Sequence, residues 1–109
     1  MDLNLLLKDV CNNVKQIYGD ELVKMILYGS YARGDYNEYS DVDILALVKC
    51  GDKDIWGYRD KLTSSIVELD DKYSAYISLK TNNIDYFNYW KDSMPYFKSV
   101  IQEGLELNV

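Results

Sequence analysis

A glycine–serine pair near the first third of the chain has the residue types that bind phosphate. Gly29 and Ser30 lie at the junction between a predicted strand and a predicted short helix. Free backbone N–H groups and the positive end of a helix dipole meet at such a junction. A glycine there lets a phosphate approach the backbone closely. The sequence therefore predicts that Gly29 and Ser30 bind an anionic phosphate group.

An acidic pair follows at the start of the next predicted strand. Asp41 and Asp43 are two residues apart, so their carboxylates project from the same face with Cα atoms about 7 Å apart. Magnesium prefers a few carboxylates together with phosphate oxygens and water, and such a site can orient a nucleoside triphosphate. We therefore expect Asp41 and Asp43 to share a divalent ion.

Each half of this pattern also has an ordinary structural interpretation. A Gly-Ser pair alone is typical of a turn, and Asp-x-Asp alone is typical of a solvated strand entry. Here ten residues separate Ser30 from Asp41, and apolar strands flank both halves. This joint arrangement favours the functional interpretation.

The composition excludes several other chemistries. The 109 residues include no His, which removes a Ser-His-Asp triad, a His-ligated zinc and an imidazole base. The two cysteines, Cys11 and Cys50, lack the paired spacing of a zinc site and are too few for a disulfide framework. A net charge of -6, from 12 Lys and Arg against 18 Asp and Glu, argues against a broad nucleic-acid surface.

The remaining bulk features favour a cytoplasmic location. The chain begins Met1-Asp2-Leu3, without the basic residues that open an export signal. No apolar run approaches the ~20 residues that a membrane span needs. We therefore expect no membrane association and a reducing environment for the thiols.

Hydrophobic periodicity predicts the elements that position the motif. The first predicted element is a helix with apolar positions from Leu3 to Ile17, capped by Asp2 and ended by Gly19. The next elements are a strand over Leu22–Tyr28, a short helix over Ser30–Arg33, a loop over Asp35–Ser40, a strand over Val42–Val48, a helix over about Ile55–Asp71 and a strand over Ser74–Lys80. The chain then forms a short helix capped by Asn82 with Asp85, and a last helix from Pro95 to Gly104 with Phe97, Val100 and Ile101 inward.

This order predicts an α/β (α+β) fold. A small mixed sheet of three to four strands carries helices packed mainly on one face. The length fits one domain over residues 1–109.

At these residues the sequence resembles a known family. Gly29-Ser30, ten residues and Asp41-Val42-Asp43 match the G-S-x10-D-x-D signature of the DNA polymerase beta-like nucleotidyltransferase superfamily. Tyr31–Gly34 has the form most common in its minimal nucleotidyltransferase (MNT) branch. The resemblance is strong over Val23–Leu47, and Pro95–Gly104 is similar to the closing helix of small MNT proteins.

The resemblance implies an activity and a role for each matching residue. The reaction is a Mg2+-dependent transfer of a nucleoside monophosphate, usually AMP from ATP, to an acceptor hydroxyl with release of pyrophosphate. Gly29 and Ser30 would hold the triphosphate, and Asp41 and Asp43 would be the catalytic metal ligands. Arg33 would contact phosphate or brace the loop, with a structural ion pair as the alternative.

The resemblance also implies a partner. Small MNT proteins usually act beside a HEPN-domain protein as the antitoxin of a toxin–antitoxin pair, adding AMP to a tyrosine of the toxin. One alternative is a catalytically weak or inactive MNT-fold antitoxin that acts by binding its partner. A dimeric antibiotic-modifying transferase is a third possibility, and the sequence leaves a homo-oligomer open.

One departure from the family concerns the metal site. The superfamily usually supplies a third carboxylate from the strand after the crossover helix, whereas the polar face of that predicted strand here carries Ser74, Tyr76 and Ser78. Asp70 and Asp71 lie just before it, either as that third ligand or as a solvated helix end. We further expect Gly29→Val to abolish ATP binding and leave the fold largely intact.

Overall fold

A computed structural model describes residues 1–108 as a four-stranded mixed sheet with helices on both faces. Its elements are α1 (Leu3–Tyr18), a 3-10 turn (Gly19–Glu21), β1 (Leu22–Tyr28), α2 (Ser30–Arg33), β2 (Val42–Val48), α3 (Asp52–Tyr73), β3 (Ile77–Asn83), α4 (Ile84–Trp90), α5 (Pro95–Glu103) and β4 (Leu105–Leu107). Within residues 1–108, none of the helices combines the length and the apolar character that crossing a bilayer requires.

The strands lie in the order β3-β2-β1-β4. β1 pairs antiparallel with both β2 and β4, whereas β2 pairs in parallel with β3. A parallel pair needs a long crossover, which α3 provides. The predicted mixed α/β sheet is thus confirmed, and β2 is a central strand whose apolar residues are all buried.

Alternation along the strands divides the core between the two faces of the sheet. Val42, Ile44, Ala46 and Val48 of β2 lie in a cluster with the long helices α1 and α3. Leu45 and Leu47 lie in the other cluster, with Phe87 of α4 and with Phe97 and Val100 of α5. The two long helices share one face and the two shorter helices cover the other, whereas the sequence predicted helices mainly on one face. Because residues two apart share a face, Asp43 lies on the face that α4 and α5 cover.

The elements around the motif form where the sequence predicted them. Asp2 caps α1, its carboxylate accepting the Leu5 N–H at 3.1 Å. β1 ends at Tyr28, α2 begins at Ser30, and β2 begins at Val42. Cys11 is buried, as expected of a small apolar residue, and Cys50 is half-buried.

The third strand is displaced from its predicted position. β3 spans Ile77–Asn83 rather than Ser74–Lys80, because α3 continues to Tyr73 and ends at Ser74 in the left-handed region, with φ 50°. The cap of α4 moves accordingly. The Asn83 side chain, rather than that of Asn82, accepts the Tyr86 N–H at 3.0 Å.

The last segment differs from the prediction in two respects. Phe97 and Val100 of α5 are buried as expected, but the Ile101 side chain is 49% exposed because it lies at the margin of the helix's apolar face. Beyond Gly104 the chain forms β4, which pairs with the free edge of β1. Three residues are too short a segment for periodicity to predict this strand.

Candidate active site

The structure brings the end of β1 and the start of β2 into direct contact. Antiparallel pairing places Tyr28 opposite Asp43, and Gly29 follows immediately. Gly29 has φ 75° and ψ -154°, a conformation that favours glycine. A Cβ atom at this position would overlap the Oδ2 atom of Asp43. The absence of a side chain at Gly29 therefore lets the loop backbone and the carboxylate approach closely.

The loop itself is a tight turn closed by backbone hydrogen bonds. The N–H groups of Ala32 and Arg33 donate to the Gly29 carbonyl at 3.1 and 3.0 Å. The Gly34 N–H donates to the Ser30 carbonyl at 2.9 Å. The first N–H groups of a helix have no acceptor within that helix, so donors at the start of α2 remain available beside Asp43.

The two predicted carboxylates lie together at this rim of the sheet. Asp41 is exposed just before β2, and Asp43 is half-buried within it. Burial raises the pKa of the Asp43 carboxyl above its usual value, and the negative charge of Asp41 raises it further. The positive charges of Lys80 and Arg33 lower the pKa of Asp43. Two adjacent carboxylates, one of them partly desolvated, fit a divalent cation, because the cation relieves both their repulsion and the loss of hydration.

No third carboxylate completes this pair. The parallel register of β2 and β3 places Ser78 beside Asp43. The Asp70 side chain accepts the Ile77 N–H at 2.8 Å, which assigns it to the start of β3, and Asp71 is exposed. Across residues 1–108, no three His, Cys, Asp or Glu side chains come together in a way suited to hold a metal.

Arg33 lies beside the site and forms ion pairs. Its guanidinium contacts Asp35 at 3.1 Å and Glu103 of α5 at 2.8 Å, and these hydrogen bonds raise its pKa. The second contact connects the loop after Gly29 to α5. Arg33 thus forms ion pairs, which the sequence analysis gave as the alternative to a role at the phosphate.

Sequence reasoning missed a group contributed by α5 and β3. The hydroxyls of Tyr28 and Tyr96 are 2.8 Å apart, and the Lys80 Nζ lies 4.9 Å from the centre of the Tyr96 ring. Burial raises the pKa of both hydroxyls, so they stay protonated and do not serve as a base. This group adjoins the motif because Lys80 attracts Asp43 and Tyr28 lies opposite Asp43, and no local sequence pattern reveals it.

The comparisons with known proteins agree with this geometry. Residues 6–107 match the nucleotidyltransferase domain family, so the chain belongs to that family. The chain is 36% identical over 98 residues, covering 90% of each sequence, to a Methanocaldococcus jannaschii protein that carries the provisional name protein adenylyltransferase. The chain is thus an adenylyltransferase-type member of the family.

Solved structures support the fold at lower identity. A protein provisionally described as a minimal nucleotidyltransferase superposes with a TM-score of 0.59 at 19% identity, covering 98% of this chain and 97% of its own. An MNT antitoxin in complex with the tri-AMPylated HEPN toxin of Shewanella oneidensis superposes with a TM-score of 0.56 at 17% identity, covering 94% of this chain and 69% of its own. At this level of identity the two structures show that this chain shares their fold.

Proposed function

We propose that this chain transfers AMP from ATP to a hydroxyl of a HEPN-type partner protein, in a Mg2+-dependent reaction, as the antitoxin of a toxin–antitoxin pair. The observation that carries the proposal is the contact of the Gly29 turn with the carboxylate of Asp43, beside Asp41. In this proposal the turn at Gly29 would donate to the phosphates, and the two carboxylates beside it would hold the metal ion.

Each residue of the gap has a role in this reaction. Gly29 and Ser30 bind the triphosphate through backbone N–H groups and the serine hydroxyl. Asp41 and Asp43 would hold the magnesium ion, which would supply charge neutralisation for the phosphates. Arg33 keeps the turn fixed against α5, so that the donors stay aligned.

The overall chemistry is a displacement at the α-phosphorus of ATP. The acceptor oxygen forms a bond to that phosphorus, the bond to the bridging oxygen of pyrophosphate breaks, and pyrophosphate leaves. The acceptor hydroxyl releases its proton to water. Positioning and electrostatic stabilisation provide most of the acceleration in such transfers.

Two findings support a protein as acceptor. The M. jannaschii relative is provisionally named for adenylyl transfer to protein, and the Shewanella complex joins an MNT antitoxin to an AMPylated HEPN toxin. The net charge of -6 also favours association with a basic partner.

Labelled ATP tests the proposal directly. The chain is incubated with Mg2+ and a HEPN-type protein as the candidate partner, using ATP labelled at the α- or γ-phosphate. We expect label on the partner from α-labelled ATP alone, and no label with Asp41→Asn or Asp43→Asn. Asp60→Asn, an exposed carboxylate on α3, is the matched control and should retain transfer. Equal labelling by wild type and both motif variants would contradict the proposal.

A second candidate function is binding without catalysis. The observation that favours it is Ser78 in the place beside Asp43 where a third acid would lie. In that case the chain forms a tight complex with the partner and transfers no label. Asp41→Asn and Asp43→Asn would then leave the affinity for the partner unchanged.

A further inference from the structure

Where the family pattern leads one to expect an acid, the strand beside the carboxylate pair carries Ser78, and a cation follows two residues later. Ser78 is the register neighbour of Asp43, and Lys80 follows two residues later on β3. Because alternate residues of a strand share a face, Lys80 lies on the same face of the sheet as Ser78 and Asp43. The sheet therefore places an ammonium group, rather than a carboxylate, next to the proposed nucleotide site.

Lys80 is held in place by an aromatic ring. Its Nζ atom lies 4.9 Å from the centre of the Tyr96 ring, within the range of a cation–π contact. The Tyr96 hydroxyl is fixed in turn by the Tyr28 hydroxyl at 2.8 Å. Tyr28 is the last residue of β1 and precedes Gly29, so this chain of contacts leads directly to the phosphate-binding turn.

Lys80 also remains free to bind an anion. Within residues 1–108 it forms no ion pair, whereas Arg33, the other cation facing Asp43, is engaged by Asp35 and Glu103. The Lys80 side chain is exposed, and its charge lowers the pKa of Asp43. It is thus the unengaged positive charge on this side of the carboxylate pair.

A simple charge comparison shows what this cation replaces. A third carboxylate together with a second divalent ion adds one net positive charge to the site. One lysine ammonium adds the same charge and needs neither the third carboxylate nor the second ion. Bound triphosphate needs compensating positive charge around its oxygens, and lysine commonly supplies it as a point charge.

We propose that Lys80 binds the phosphate chain of the nucleotide and takes the place of the second divalent ion, so that the site works with one ion held by Asp41 and Asp43. This inference rests on the proposed function. It predicts that the site is complete with two carboxylates, and that Ser78 needs no acidic replacement.

Binding of α,β-methylene-ATP, which cannot transfer AMP, tests the role of Lys80. Calorimetry with Mg2+ compares wild type, Lys80→Gln and Lys80→Arg, with the exposed Lys61 of α3 changed to Gln as the matched control. Loss of a charge-assisted contact weakens affinity about ten- to a hundredfold. We expect that loss in Lys80→Gln, near-wild-type affinity in Lys80→Arg and Lys61→Gln, and unchanged melting temperatures for all three.

A second measurement tests whether Lys80 replaces the second divalent ion. Manganese ions bound per chain are counted by electron paramagnetic resonance in the presence of saturating α,β-methylene-ATP. We expect one ion in wild type and two in Ser78→Asp, in which a third carboxylate lies beside Asp43. The double variant Ser78→Asp/Lys80→Gln should regain most of the affinity that Lys80→Gln alone loses.

The outcomes separate this inference from the proposed function. If wild type binds no α,β-methylene-ATP, the proposed function fails and this inference fails with it. If wild type binds but Lys80→Gln stays within about twofold of it, Lys80 has no role and the adenylyltransferase proposal stands. Two ions in wild type would likewise overturn the replacement of an ion by Lys80.

Discussion

Gly29→Ala tests the close contact between the turn after β1 and the Asp43 carboxylate. Gly29 adopts φ 75° and ψ -154°, and an added Cβ atom would overlap Asp43 Oδ2. The substitution therefore lowers the free energy of unfolding in two separate ways, through strain in the backbone and through overlap with the carboxylate. This geometry contradicts the sequence-based expectation that Gly29→Val leaves the fold largely intact.

The size of each cost follows from the geometry. Holding a residue other than glycine in such a conformation costs about 1–3 kcal/mol, less about 0.4–1 kcal/mol gained by restricting the unfolded chain. Displacing the overlapped carboxylate costs about 1–3 kcal/mol, as for other overpacked sites. Gly29→Ala should thus lower the free energy of unfolding by about 1–6 kcal/mol, or the melting temperature by about 5–30 °C.

Urea denaturation followed by circular dichroism measures these terms in a double-mutant cycle. In an Asp43→Ala background the nearest remaining contact of the added Cβ is the residue-43 Cβ at 3.4 Å, so only the backbone cost remains. Gly34→Ala is the matched control, because Gly34 has φ 87° but no atom within 4 Å of an added Cβ. Gly57→Ala, inside α3 with open space around it, should stabilise by about 0.5–1 kcal/mol.

The cycle has a clear contrary result. We expect Gly29→Ala to be about 1–3 kcal/mol less costly when residue 43 is alanine. If the cost is the same in both backgrounds, or no larger than that of Gly34→Ala, then Gly29 and Asp43 do not meet as described. The proposed phosphate and metal sites would then not share one gap.

Three further changes test the surroundings of the site. Asp43→Asn should stabilise the metal-free protein, because burial and the adjacent carboxylate raise the pKa of Asp43. The melting temperature of the variant should exceed that of wild type by an amount that grows as the pH rises through this pKa. Below the ordinary pKa of 3.8 the difference should vanish. Asp70→Ala should lower the free energy of unfolding by about 1–3 kcal/mol, since the Ile77 N–H loses its acceptor, yet leave nucleotide affinity in calorimetry unchanged; weaker binding would instead make Asp70 a ligand. Arg33→Gln and Glu103→Gln break the same ion pair, so the melting temperature of the double variant should fall no further than that of the less stable single variant. Added salt should reduce the loss in all three variants. Additive losses would contradict the pairing.

The sequence predicts the motif and its supporting strands because all of them are local. Residues 28–43 form one continuous segment, and the apolar runs on either side can only be buried strands. Antiparallel pairing of β1 and β2 then brings Gly29 and Asp43 together without help from distant residues. The amphipathic pattern of α1 and its Asp2 cap are equally local, which is why they too are predicted correctly.

The errors lie where tertiary contacts decide the outcome. The start of β3 depends on Asp70, which accepts an N–H from Ile77, and no periodicity shows this interaction. β4 exists because the chain after Gly104 meets the free edge of β1. The position of Lys80 relative to Asp43 depends on the register between β2 and β3, and the sequence predicted the start of β3 three residues too early.

The strand order has a consequence for how such a protein can diverge. The turn and both acids belong to the two central strands, whereas the residue beside Asp43 comes from β3 at one margin of the sheet. Substitutions on a marginal strand disturb fewer neighbours, so an acid there can be exchanged for serine while the central geometry persists. Under the proposal for Lys80, such an exchange would change the number of metal ions at the site without moving the turn or the acids.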